Sequence, residues 1–329
     1  MNFFKSLKNL ISFFKIPKSK REIVFYAENE NSYLFFEGLI KKLISQYKLD
    51  IHYVTSSISD PILKCNNENF KTYFIGSETI KTIYFKMFDS KIMVLTMPEL
   101  NIYHLKRSSH QVKYIFIPHN ILSLHMTYKS KAFNHYDIIF CSGPHHNREI
   151  IELSKIYNIN TIKSFNFGYY KIDKLGINFK KNKNRTKNIL IAPSWGENGI
   201  IEKYGIEIID KIINSNFNIL VRPHPETLIR SKKIYNKLKN KYKNNINITF
   251  EENITNLNSF YFSDIMISDW SGAAFEFSFG LEKPVIFINT PKKINNVDYN
   301  LFKSVPFEIE IRNQIGTLVD LDEIKNLKS

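Results

Sequence analysis

The sequence has few cysteines and no long apolar run, and each shortage excludes a class of protein. Its two cysteines, Cys65 and Cys141, form neither a metal-binding spacing nor a disulfide framework, which is typical of a reducing compartment. No apolar run approaches the ~20 residues that span a bilayer. Lysines at Lys5, Lys8 and Lys15 interrupt the amino terminus where a secretory signal would be apolar. We therefore expect a cytoplasmic protein.

Several common ligand-binding motifs are also missing. No G-x-G-x-x-G follows the first predicted strand, and there is no G-x-x-x-x-G-K-[ST], so neither a dinucleotide fingerprint nor a P-loop is supported. No cluster of carboxylates or spacing of His and Cys suggests a bound metal. We expect no cofactor.

Basic residues are abundant. The chain has 46 Lys and Arg against 31 Asp and Glu, a formal net charge of +15. Such an excess favours nucleic acid, an anionic membrane face or phosphorylated substrates as partners. A basic nucleic-acid-binding protein is the most distant of our alternatives, because only the amino terminus interleaves basic and aromatic residues.

Residues 1–20 form a basic amphipathic segment. Phe3, Phe4, Leu7, Leu10, Ile11 and Phe14 recur at helical spacing among lysines, and Pro17 ends the pattern. Such a helix lies on an anionic membrane surface or packs on the protein's own core. We predict the membrane-surface segment.

The rest of the chain alternates between strand and helix patterns. Strands are predicted at residues 22–27, 51–54, 72–75, 92–95, 113–117, 137–140, 188–192, 218–221 and 246–250. The polar stretch 180–187 predicts a linker between a Rossmann-like acceptor domain at residues 21–179 and a Rossmann-like donor-nucleotide domain at residues 188–329. The predicted fold class is α/β, with two doubly wound domains facing across a cleft.

The stretch from Asp264 to Pro291 predicts a strand, a polar turn, a helix closed by Gly280, and a second buried strand. The turn contains Ser268, Asp269, Ser271 and Gly272. The carboxyl end of a parallel strand next to a helix start suits an anion. The alternative is that Ser271 only caps the helix.

Two further turns place histidines after buried strands. Arg222 and His224 follow residues 218–221, and such a pair suits phosphate oxygens and a leaving oxygen. His119 follows residues 115–117 and is our candidate for the base that deprotonates an acceptor hydroxyl. His125 is a further candidate, whereas the pair His145 and His146 is more typical of a helix start.

Five ordered segments carry a resemblance to a known family: residues 116–119, 168–173, 189–195, 222–225 and 268–272 with Phe275 and Glu276. The chain resembles the CDP-glycerol glycerophosphotransferases, which include teichoic acid primases and polymerases and related capsule enzymes. The resemblance implies the GT-B fold and transfer of glycerol phosphate, with CMP leaving, to a lipid-linked or polymeric acceptor at the membrane.

The resemblance also implies roles for individual residues. His119 would be the general base, and a diphosphate would bind Arg222, His224, Ser271 and Gly272. Matching positions add further candidates for the site: Ser268, Asp269, Glu276, Asp173 and Ser194. A metal would not be required, because side chains and a helix terminus neutralise the developing charge.

The sequence departs from the family pattern at three places. Asn120 replaces a glycine, Tyr170 and Lys171 replace a Pro-Arg pair, and Gly272 replaces a serine. The donor therefore stays open between CDP-glycerol, CDP-ribitol and a nucleotide sugar. A GT-B glycosyltransferase for capsule or lipopolysaccharide is the nearest alternative.

Overall fold

Alternating strands and helices build two parallel sheets in the computed structural model, which describes residues 2–102, 105–178, 187–253 and 256–326. One unit holds Met1–Tyr170 and Ile294–Ser304, and the other holds Lys171–Lys293 and Val305–Ser329. The predicted linker at residues 180–187 lies outside the described residues, apart from Lys187.

The first unit is built on a sheet of seven strands within the described residues. The strands are β1 (Ile23–Ala27), β2 (Ile51–Thr55), β3 (Phe70–Phe74), β4 (Ile92–Leu95), β5 (Lys113–Phe116), β6 (Ile138–Cys141) and β7 (Lys163–Asn166). Their order is β3-β2-β1-β4-β5-β6-β7, and every pair is parallel. The order reverses between β1 and β4, which is the doubly wound arrangement.

Helices fill the connections of the first unit. They are α1 (Asn2–Phe14), α2 (Tyr33–Tyr47), α3 (Glu78–Met87), α4 (Leu124–Thr127) and α5 (Pro144–Ile156). The next helix, α6 (Tyr170–Asn178), starts where this unit ends.

Helix α1 has two different faces. Leu10 and Phe13 are buried in the core of the first unit, where the Phe13 ring lies 5.4 Å from both Tyr73 and Tyr84. On the opposite side Phe4 is 76% exposed and Ile11 is 48% exposed. The apolar pattern of the sequence therefore belongs partly to the core and partly to the surface.

The second unit has six strands within the described residues. They are β8 (Asn188–Ile191), β9 (Asn218–Val221), β10 (Ile248–Phe250), β11 (Ile265–Ser268), β12 (Val285–Ile288) and β13 (Gly316–Val319). The order β10-β9-β8-β11-β12-β13 is again parallel throughout and reverses between β8 and β11. Ligands of such sheets bind beyond the carboxyl ends of the strands at the reversal.

The helices of the second unit include α6 and seven later ones. These are α7 (Gly205–Ile212), α8 (Pro225–Arg230), α9 (Lys232–Tyr242), α10 (Asn258–Phe262), α11 (Gly272–Leu281), α12 (Phe307–Ile315) and α13 (Leu321–Asn326). A π-helical turn, Ile200–Tyr204, precedes α7. Isoleucines of β8, β9 and α7 form a core of their own.

Two sheet-edge strands were missed by the sequence pattern. β7 is a largely exposed edge strand, so it lacks the apolar run of a buried strand. β13 follows α12 without a break and contains Gly316, where a Cβ would approach Val285 O to 2.2 Å. The glycine thus permits the close pairing of β13 with β12.

The prediction that Gly280 closes α11 is wrong. The helix continues to Leu281, and Glu282 takes the left-handed conformation at its end, with φ of 53°. Gly280 instead lies against α6, because a Cβ there would come within 2.9 Å of Leu175 Cβ. Helix packing, which the sequence does not display, decides the role of this glycine.

Candidate functional site

His119 lies just beyond the carboxyl end of β5. Its Nδ1 is 3.1 Å from Thr96 O at the end of β4. A carbonyl oxygen only accepts, so Nδ1 carries the proton and the lone pair of the neutral ring is on Nε2. Tyr169 donates to His119 O at 2.9 Å and helps to fix the backbone. A ring fixed in this tautomer suits a general base.

His125 is buried in the first unit instead of lining its surface. Its Nδ1 is 3.3 Å from Glu149 Oε2, and its ring stacks on Tyr299 and Phe302 of the returning segment 294–304. His145 and His146 are buried as well, and each is hydrogen-bonded to a backbone carbonyl. These three histidines hold loops together.

Asp269 ties the end of β11 to the loop that follows β8. The carboxylate is fully buried and accepts from Ser194 N at 2.6 Å and from Ile200 N at 3.4 Å. Burial raises its pKa, which these hydrogen bonds oppose. Ser268 donates to Ala192 O at 2.8 Å. Both residues therefore connect the end of β11 to the segment that follows β8, on either side of the crevice between these strands.

Helix α11 presents its amino terminus at the same crevice. Ser271 is its N-cap and accepts from Ala273 N at 3.3 Å, which confirms that this serine caps the helix. The hydroxyl hydrogen of Ser271 can still donate, as can the Gly272 N–H in the first turn. A helix start with these donors suits phosphate oxygens.

His224 has the opposite tautomer to His119. It is the N-cap of α8, and its Nδ1 accepts from Glu226 N at 3.1 Å. The neutral ring must therefore carry its proton on Nε2, which makes it a donor. The ring centroid is 6.2 Å from that of Trp195, just after β8. His224 thus suits a phosphate or leaving oxygen.

Arg222 has extensive contacts within its own unit. It is 6% exposed, and its Nη1 donates to Asn256 O at 2.6 Å and to Ser259 Oγ at 2.8 Å. Nη1 also lies 3.2 Å from Glu251 Oε2. Burial lowers its pKa, although Glu251 and Glu276 oppose this. These contacts connect Arg222 to Glu251, Asn256 and Ser259, which follow β10 in the chain. Phosphate binding by Arg222 stays a prediction.

Glu276 lies on α11, beyond its amino terminus, and Asp173 lies on α6. Glu276 on α11 is buried, and its Oε2 is 2.5 Å from Lys171 Nζ on α6. Asp173, on the same helix as Lys171, is exposed. The pair formed by Glu276 and Lys171 therefore connects α11 to α6.

A lysine that we did not predict lies at this crevice. Lys293 Nζ donates to Trp195 O at 2.6 Å and lies 3.8 Å from the centroid of the Trp195 ring. Burial lowers its pKa to about 8, against the opposing effect of Asp269, Glu202 and Glu226. In sequence, Lys293 stands two residues beyond Pro291. The only indication in the sequence was that two consecutive lysines, Lys292 and Lys293, follow the second predicted strand of the Asp264–Pro291 stretch.

The second unit thus gathers Ser194, His224, Asp269, Ser271 and Gly272 around the loops that follow β8, β9 and β11. This arrangement can hold a phosphorylated ligand through neutral and cationic donors. Over the described residues, no group of three or more His, Cys, Asp or Glu side chains could hold a metal ion.

A family model supports this chemistry. The model described as CDP-glycerol:poly(glycerophosphate) glycerophosphotransferase matches residues 9–296. No curated protein matches the sequence.

Two solved structures with TM-scores above 0.5 share the fold, and a third is similar to a lower degree. The UDP-GlcNAc 2-epimerase of Methanocaldococcus jannaschii, in complex with UDP-GlcNAc and UDP, is 14% identical with a TM-score of 0.58, over 92% of each chain. S. aureus MnaA with UDP is 12% identical with a TM-score of 0.54, over 83% of this chain and 81% of that one. The wall teichoic acid polymerase TagF is 15% identical over 87% of this chain and 78% of that one, with a TM-score of 0.48.

Proposed function

Because the chain belongs to the CDP-glycerol:poly(glycerophosphate) glycerophosphotransferase family, we propose that it transfers glycerol phosphate from CDP-glycerol to a hydroxyl of a growing or lipid-linked surface polymer. The single observation that carries the proposal is the family match over residues 9–296. The histidine tautomers and the start of α11 provide the chemistry that such a transfer needs.

The proposed reaction begins at His119. Its Nε2 takes the proton of the acceptor hydroxyl, whose oxygen then attacks the phosphorus that carries glycerol. The bond from that phosphorus to the oxygen bridging the two phosphates breaks, and CMP leaves with the bridging oxygen. No other covalent bond forms or breaks. Glycerol phosphate is thus joined to the acceptor oxygen, and His119 holds the proton.

The donor side is assigned to the second unit. His224 Nε2–H, the Ser271 hydroxyl and the Gly272 N–H donate to phosphate oxygens, on which negative charge grows as the bond to CMP breaks. Asp269 and Ser268 act as positioning residues, because they hold the loops that carry Ser194 and the start of α11.

A turnover assay tests the proposed donor. The full chain is incubated with CDP-glycerol and a glycerophosphate oligomer, and CMP release is measured. Parallel reactions contain CDP-ribitol or a uridine diphosphate sugar. We expect CMP release with CDP-glycerol. Consumption of only the sugar nucleotide would favour the glycosyltransferase alternative and refute the assignment of the donor.

Membrane association is proposed from the outer face of α1. Phe4, Lys8, Ile11 and Lys15 lie on that face and are exposed. Apolar and basic side chains together favour the surface of an anionic leaflet. Among the described residues, no helix has the length and apolarity to cross a membrane. We therefore propose a peripheral enzyme on the cytoplasmic face, where nucleotide-activated donors are made.

A further inference from the structure

Lys293 lies at the reversal of strand order in the second unit. It follows β12, which pairs with β11, and its Nζ contacts Trp195, which follows β8. The strands β8 and β11 are neighbours. The Lys293 ammonium group is therefore held at the crevice that α11 enters with its amino terminus, although Lys293 lies outside every segment that carries the family resemblance.

Three other basic side chains of the second unit have protein partners. Lys171 pairs with Glu276 at 2.5 Å, and Arg222 lies 3.2 Å from Glu251. Arg312 is 3% exposed, stacks 3.9 Å from the Trp270 ring and donates to Ile288 O. Each of these charges is used to hold the unit together.

Lys293 differs from these three. Its hydrogen bond goes to a neutral carbonyl, and its ammonium group lies over an indole ring. In the part of the chain that the structure describes, no carboxylate lies within ion-pair distance of its Nζ. The ammonium group has three N–H donors, and Trp195 O uses one of them.

Charged groups around Lys293 come from several elements. Asp269, Glu202 and Glu226 act on it from the turn after β11, the π-helical turn and α8. Arg230, on α8, lies over the same Trp195 ring at 5.3 Å and pairs with Glu226. His224 approaches that ring as well. Glu226 is thus partly neutralised, and Asp269 is buried among N–H donors.

We propose that Lys293 binds the diphosphate of the nucleotide donor and supplies the positive charge that the family resemblance assigns to Arg222. The inference rests on the proposed function and deepens it. A lysine held by a carbonyl and an indole keeps two N–H donors for phosphate oxygens, which form strong charge-assisted hydrogen bonds. The start of α11 supplies neutral donors beside it.

The proposal predicts a particular pH dependence. Burial brings the pKa of Lys293 to about 8, and a bound dianion raises it again, so binding takes up a proton when the solution is above that pH. Affinity for CDP-glycerol should therefore fall as pH rises above about 8, by up to roughly tenfold per pH unit. Replacement by arginine, which stays charged, should remove this loss.

Equilibrium binding to the full chain tests the proposal. The fluorescence of the two tryptophans, one of which is Trp195, reports titration with CDP-glycerol and with cytidine, which lacks phosphate. We expect Lys293→Gln to weaken CDP-glycerol binding by roughly tenfold or more, since a charged hydrogen bond is lost. Cytidine binding should not change, and Lys293→Arg should keep CDP-glycerol affinity constant from about pH 7 to about pH 9.

The outcomes separate this inference from the proposed function. Equal weakening of CDP-glycerol and cytidine in Lys293→Gln would mean that Lys293 only supports Trp195, and would overturn the inference. So would a wild-type affinity that does not change between these pH values, a test that applies even if Lys293→Gln does not fold. Charge-dependent CDP-glycerol binding without any turnover would support the inference and refute the transferase assignment instead.

Discussion

At the scale of single residues, the two proposed catalytic histidines are distinguished by their hydrogen bonds. His119 donates from Nδ1 and His224 accepts at Nδ1, so one neutral ring is a base and the other a donor at Nε2. Residue type and motif cannot make this distinction, because it depends on which backbone group each ring meets.

Replacing His119 should remove the base without removing the donor site. We expect His119→Ala to lower kcat by about 10²- to 10⁴-fold, with little change in the Kd for CDP-glycerol. CMP release and donor binding, measured on the same preparation, check this. His110→Ala is the matched control, since His110 is exposed. Unchanged turnover in His119→Ala would remove the assignment of the base.

Asp269 is expected to matter for stability as well as activity. Asp269→Asn keeps the size of the side chain, but its NH₂ group would face one of the two backbone N–H groups that the carboxylate now accepts. We expect the free energy of unfolding to fall by about 1–3 kcal/mol. Urea denaturation measures this, with Glu197→Gln at an exposed position as the control. Equal stability of the two variants would contradict the role given to Asp269.

At the scale of elements, α1 shows how one helix can serve both the core and the surface. Arg21 secures its carboxyl-terminal end: Nε donates to Ile16 O at 2.9 Å, and the guanidinium group lies 5.0 Å from the Phe13 ring. A helix fixed in this way keeps its outer face in one orientation, as membrane docking requires.

The outer face of α1 should bind anionic lipid. We expect the double variant Phe4→Ser and Ile11→Ser to bind vesicles containing phosphatidylglycerol more weakly, while turnover of a water-soluble acceptor is unchanged. Co-sedimentation with anionic and with neutral vesicles measures the effect. Ser12→Ala is the matched control on the same helix. Equal co-sedimentation of the double variant and the wild type would contradict the membrane proposal.

At the level of the whole molecule, the first unit contains a segment that is separated in sequence from the rest of it by most of the second unit. The returning segment Ile294–Ser304 belongs to the first unit. Glu152 on α5 accepts from Lys303 N at 2.8 Å, from Ser304 N at 3.2 Å and from Ser304 Oγ at 2.7 Å. One carboxylate therefore holds the end of this segment.

The attachment of this segment should depend on pH. Burial raises the pKa of Glu152, but hydrogen bonds from Ser304 and Lys303 outweigh it and lower the pKa overall. A depressed folded pKa stabilises the fold above the unfolded pKa of about 4.3, and the contribution is lost as pH falls through the folded pKa. We expect Glu152→Gln to be less stable than the wild type at neutral pH, with the difference shrinking in acid.

Hydrogen exchange at the amides of Lys303 and Ser304 checks this attachment. Both should exchange faster in Glu152→Gln at neutral pH, whereas Glu68→Gln, at an exposed position in the same unit, should not change them. Unchanged exchange would mean that the stacking of Tyr299 and Phe302 on His125 is sufficient to hold the segment.

The sequence predicted the family, the α/β fold class and the transferase class, and all three are confirmed. The fold class followed because buried parallel strands are short apolar runs, and the place of the site followed because polar turns after such runs are where ligands bind. The family and the transferase class came from the resemblance carried by the five ordered segments. Ranges such as Ile92–Leu95 and Asn218–Val221 agree with the prediction to the residue. The edge strands β7 and β13 were not predicted, since none of their side chains is fully buried and they form no apolar run.

The stretch from Asp264 to Pro291 shows which features local sequence predicts and which it does not. Its order of strand, turn, helix and strand follows from local pattern, but the burial of Asp269, the packing of Gly280 on α6 and the position of Lys293 over Trp195 depend on distant partners. Local sequence specifies which backbone conformations are favourable. Which side chains can still bind a ligand depends on the partners that each of them meets across the fold, and those partners are set by tertiary packing.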